Sequence, residues 1–117
     1  MQLVDLAIPF QEPLQQFPLH YGYFEIDALV FPHQQINTVS LKNRHHGHGV
    51  TVDFTGFPEV ALWTADGKHK RSPFLCIEPW FGYADLEQGA PELHQKAGIQ
   101  QLAAGEHFNT AYRIIFY

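Results

Sequence analysis

The chain has 117 residues, 45% apolar and 15% aromatic, with a single cysteine and a net charge of −5. That is the length of one small domain with a core, too rich in rings for a disordered chain and too acidic for a nucleic-acid partner, which needs a positive face. One cysteine excludes an intramolecular disulfide framework or a four-cysteine zinc site. No apolar run approaches the ~18 residues of a membrane helix, and the N-terminus lacks the basic start of a secretory leader, so a soluble cytoplasmic chain away from membranes is expected.

Nine Gly and eight Pro recur too often along the chain for long helices. Short runs rich in β-branched and aromatic residues lie between them. Residues 28–31 (ALVF) form an apolar run stopped by Pro32. Residues 36–42 (INTVSLK) alternate, and residues 49–54 (GVTVDF) do so more clearly, with Val50, Val52 and Phe54 on one face. Residues 60–64 (VALWT) are apolar and run into a turn at 65–68, and residues 73–77 (PFLCI) read as a buried strand. Residues 91–98 open with Pro and an acid and close with Lys and Gly, the start and stop signals of a helix of one to two turns. Residues 107–116 alternate, with Phe108, Thr110, Tyr112, Ile114 and Phe116 on one face. The spacing predicts an all-β antiparallel sandwich or barrel with at most one short helix. With no repeat, linker or low-complexity tract, residues 1–117 read as a single unit. Ten Phe, five Tyr and two Trp are many for so small a domain, which points to pairing or to membership of a larger one.

Four groups of residues could carry chemistry. His45, His46 and His48 suggest a metal, but two glycines make the segment a turn and no third or fourth ligand is spaced to join it, so a solvated hairpin is the preferred reading. Lys68-His69-Lys70-Arg71 is either a phosphate contact or, as preferred, a solvated turn. Cys76, between Leu75 and Ile77, reads as a buried and inert thiol. Residues 74–85 (FLCIEPWFGYAD) are the most informative. Glu78 ends an apolar strand, Pro79 is expected to break the ladder, and Trp80, Phe81 and Tyr83 follow. A carboxylate among rings is partly desolvated, a setting that suits a general base, and aromatic faces beside a carboxylate suit a sugar. The other reading is a strand-end Glu that pairs with a Lys or caps a turn.

Taken with DALVF at 27–31, GHGVTVDFTGFP at 47–58, HQKAGI at 94–99 and LAAGEHF at 102–108, this segment resembles the C-terminal part of aldose 1-epimerase (galactose mutarotase) family proteins, in their LacX-like branch. The resemblance runs from about Leu19 to the end. It implies part of a large antiparallel β-supersandwich that interconverts the anomers of an aldohexose without cofactor or metal. By the same resemblance, Glu78 is the general base, Asp27 contacts sugar hydroxyls, and Trp63 and Trp80 line the pocket. The family's general acid is a His supported by a second His and an Arg, all in an N-terminal portion that this segment does not match. None of the eight histidines here lies in a similar motif, so no acid is carried over. The expected completion is the missing N-terminal half, a second copy of the chain, or a replacement such as His20, His33 or His48. The alternative is a catalytically incomplete carbohydrate-binding or remnant segment.

Overall fold

The computed structural model describes residues 18–32, 34–65, 71–85 and 92–117. Among these described residues six strands are formed: β1 (Leu29–Phe31), β2 (Thr38–Lys42), β3 (Gly49–Asp53), β4 (Glu59–Trp63), β5 (Cys76–Trp80) and β6 (Arg113–Phe116). They make two antiparallel three-stranded sheets, ordered β1-β4-β5 and β2-β3-β6. The described helical structure is two 3-10 turns, Tyr21–Phe24 and Leu93–Gln95. The chain is therefore all-β, as its alternation predicts, and no described helix is long and apolar enough to cross a membrane.

The two sheets share one core. Val52 from β3 and Val60 from β4 meet Phe54 and Phe57 from the connection between them, and Phe31, Ile36, Val39, Val50, Ile77 and Phe81 pack around this centre. The connection is short because Phe57 N donates to Phe54 O, closing a turn, while Phe54 N reaches back to Asn37 O. Phe54 and Val60 are the largest fully buried side chains.

Three elements differ from their sequence reading. The strand expected at 73–77 begins instead at Cys76 and runs through Pro79 to Trp80. Thr64 Oγ1 donates to Phe74 O at 2.7 Å, where the ladder with β4 has already ended at the Trp63–Cys76 pair. Pro79 does not break the strand, because β5 lies at the edge of its sheet, where a missing N–H can face away from the ladder. The alternation at 107–116 yields strand only over Arg113–Phe116, which pairs with Val50–Asp53 of β3. The helical signal at 91–98 reduces to the Leu93–Gln95 turn. Lys96 is already extended, and Pro91 lies outside the described residues, as does most of the turn expected at 65–68.

The loop after that turn is set by close backbone contact. Gly98 has φ +76°, and a Cβ there would stand 2.5 Å from Gly82 N. Lys96 pairs with Asp85 beside this contact. Phe81, next to Gly82, lies 4.7 Å from Phe57 and meets Phe108 edge-on at 5.1 Å. On the sheet β2-β3-β6, by contrast, apolar surface is left open. Leu41, Ile114 and Phe116 share the face of Val39 and Val52 by register, yet all three are exposed, Phe116 to 79%.

Two substitutions test this account. Gly98→Ala adds a clashing methyl at a positive φ and is expected to destabilise the chain by about 1–3 kcal/mol, read from urea unfolding. Phe54→Ala empties the core centre and should lower stability by about 3–5 kcal/mol in the same assay. A midpoint unchanged by either would contradict the packing described.

Candidate functional site

In an antiparallel ladder, directly paired residues share a face, and so do alternate residues of one strand. The pairs Phe31–Val60, Val60–Pro79 and Leu62–Ile77 send one face of the sheet β1-β4-β5 into the core. The pairs Ala61–Glu78, Glu59–Trp80 and Trp63–Cys76 set the other face, with Val30 opposite Ala61. Two carboxylates, both tryptophans of the chain and its single thiol thus stand on one side of one sheet.

The side chains of this face interact. Trp80 Nε1 donates to Glu78 Oε2 at 3.2 Å, which fixes the carboxylate beside an indole. Burial, and then the negative charge and hydrogen bond of Glu78, push the Cys76 thiol above its ordinary value. It is half-buried and held as a neutral thiol, in keeping with the inert reading of the sequence. Trp63 stands with its ring centre 6.4 Å from that of Phe74 at the far end of the strand pair. Glu59, which the sequence reading did not single out, is 5% exposed, and its Oε2 has no hydrogen-bond partner among the described residues.

Of the residues expected at the site, the ladder brings Glu78, Trp63 and Trp80 together. Asp27 is placed differently. It lies in the bend before β1, half-buried, and its Oδ1 accepts from Ala28 N at 2.8 Å. Glu78 stands mid-strand rather than at a strand end, because β5 continues through Pro79.

The other candidate clusters lie elsewhere. His45, His46 and His48 are exposed in the turn of the β2-β3 hairpin. Asn43 Oδ1 accepts from His45 N, and the rings of His46 and His48 are 4.8 Å apart. Among the described residues, no group of three or more His, Cys, Asp or Glu side chains is placed to hold a metal ion. A hollow of about 300 Å³ beside this hairpin is lined by Leu41, Lys42, Asn43, His48, Gly49 and Val50. It is remote in sequence and sheet from Glu78 and gathers no carboxylate. Of the basic run, residues 68–70 lie outside the described residues. Arg71 stands over the Tyr21 ring at 5.2 Å, and Tyr21 Oη donates to Ser72 O.

Comparison with known proteins gives a partial match. The chain is similar to Protein LacX, chromosomal, and to Protein LacX, plasmid, both of Lactococcus lactis subsp. lactis. Each is 38% identical over 90 residues, covering 74% of this chain and 29% of the relative. The chain thus spans less than a third of the length of these curated relatives. No family model and no solved structure matches it.

The Cys76–Glu78 contact makes a prediction. Iodoacetamide should modify Cys76 in the folded chain more slowly than a free cysteine at pH 8. Glu78→Gln, which removes the neighbouring charge, should raise the rate by up to about tenfold through a larger thiolate fraction. An unchanged rate in the variant would separate the two side chains.

Proposed function

We propose that the chain is a carbohydrate-active segment of the aldose 1-epimerase type, in which Glu78 is the general base toward the anomeric hydroxyl of an aldohexose. The observation that carries this reading is the Trp80–Glu78 hydrogen bond on a sheet face that also presents Trp63. A fixed carboxylate between indoles offers a proton acceptor for a sugar hydroxyl and flat apolar surface for the C–H face of a pyranose. The likeness to the LacX proteins supports the same reading. In the proposed step, Glu78 takes the proton of the anomeric hydroxyl while an acid delivers one to the ring oxygen. The C1–O5 bond breaks with its electron pair going to O5, and the open-chain aldehyde forms. Rotation about C1–C2 and closure on the other face, with the protons returned, gives the other anomer. Asp27 is proposed to contact sugar hydroxyls from the bend before β1.

The acid is proposed to come from outside this face, from the rest of a longer domain or from a second copy. The described histidines at 20, 45, 46, 48, 94 and 107 are all exposed and belong to none of the three strands of the site sheet. The exposed apolar stripe of Leu41, Ile114 and Phe116 supports such a partner. The same distribution of histidines favours a second reading, a segment that binds a hexose and turns it over only weakly.

Polarimetry of α-glucose and α-galactose with the purified chain distinguishes these readings. The first predicts an acceleration that Glu78→Gln abolishes while the variant still melts cooperatively; one positioned base contributes about 10²–10⁴-fold when its acid is present. The second predicts a hexose-dependent rise in Tm without acceleration. Equal acceleration by parent and variant would remove Glu78 from the mechanism. Neither acceleration nor a Tm shift at millimolar hexose would refute both.

A further inference from the structure

The feature of the site sheet left unexplained is Glu59. It opens β4, the middle strand, in a run whose next three residues, Val60, Ala61 and Leu62, are all buried. Any apolar residue would satisfy such a position. Instead a carboxylate is 95% removed from solvent, with one oxygen unpartnered among the described residues. Buried polar atoms in folded proteins nearly always have hydrogen-bond partners, and a buried carboxylate oxygen without one is strongly disfavoured. A carboxylate serving only the fold would find its donors within the fold.

Its place on the ladder says what Glu59 stands beside. Glu59 is paired directly with Trp80, whose indole holds Glu78, and it is the diagonal neighbour of Glu78 across the two strands. Diagonal neighbours on one face stand roughly 7–8 Å apart. Two carboxylates on diagonal positions of one face can reach different hydroxyls of a single monosaccharide. The bare oxygen is thus an acceptor that lacks a donor, on the face where a polyhydroxylated ligand would bring several.

We infer that Glu59 is a second carboxylate of the site and that its Oε2 accepts a hydrogen bond from a hydroxyl of a neutral sugar held at Glu78 and Trp80. This rests on the reading of that face as a hexose site. Glu59 is a binding and orienting residue: it fixes which hydroxyls lie beside Trp80 and so which one is presented to Glu78.

The test is a hexose titration of the 117-residue chain followed by tryptophan fluorescence, since both tryptophans lie on this face. The parent, Glu59→Gln and Glu78→Gln are compared, with a thermal melt of each. Glu59→Gln replaces a charged acceptor oxygen with an amide nitrogen that only donates, and should weaken hexose binding by about tenfold to a hundredfold, while Glu78→Gln loses more in rate than in affinity. Parent-like affinity in a folded Glu59→Gln would overturn this inference and leave the hexose site standing. A parent that binds no hexose would overturn both. Should Glu59→Gln fail to fold, the ¹³C carboxyl resonance of Glu59 in the parent decides: it is expected to move on addition of hexose, and a resonance unmoved at saturation overturns the inference.

Discussion

The structure turns on β4, the one strand of its sheet with a partner on each side. Pairing to β1 and β5 fixes its register twice over, so the side chains of Glu59, Ala61 and Trp63 are separated from those of Val60 and Leu62 by the pleat alone. One set joins the core shared with the other sheet, and the second forms the face that carries Glu78 and Trp80. A slip of one residue would exchange the two sets, sending carboxylates into the core and Val60 onto the site. Stability and chemistry are therefore specified by the same hydrogen bonds.

What lies beyond the sheets holds this arrangement from one end. Phe81 follows β5 directly and reaches the core through Phe57, so the exit of the site strand is anchored in the same cluster as Val60. The close approach of Gly82 and Gly98 ties the segment before the last strand to this exit, and the Lys96–Asp85 pair lies beside it. The half-exposed pair adds little by itself. The glycines matter more, because only a residue without a side chain lets the two backbones meet.

The parts of the fold that could be read from the residues are those in which local pattern and tertiary need coincide. Val50, Val52 and Phe54 alternate in the sequence and point inward in the structure, and the turn at His45 to His48 carries the glycines that a hairpin requires. Two errors of reading in the strands share one source, the identity of the partner strand. Nothing local shows that Pro79 lies at an edge, where it is tolerated, or that the alternation of 107–116 finds a partner only over its last four residues. At the site, Glu78 and Trp80 were legible because they are near neighbours in one segment rich in rings, whereas Glu59 was not. Its burial and its nearness to Glu78 come from the pairing of β4 with β5, nineteen residues away in sequence, and a Glu after a proline otherwise reads as solvated turn.

Pro79 also bears on how this sheet meets other chains. An exposed edge strand is a template on which a foreign strand can extend the sheet, and extension requires an unbroken row of donors. Next to Glu78 in β5 that row has a gap, since proline has no N–H to offer. The flank of the strand that carries Glu78 is thereby guarded against strand addition, while β6, at an edge of the other sheet, presents Ile114, Ile115 and Phe116 with no such interruption. Strand addition is thus disfavoured at the β5 flank, beside Glu78, whereas β6 keeps an uninterrupted edge on the other sheet.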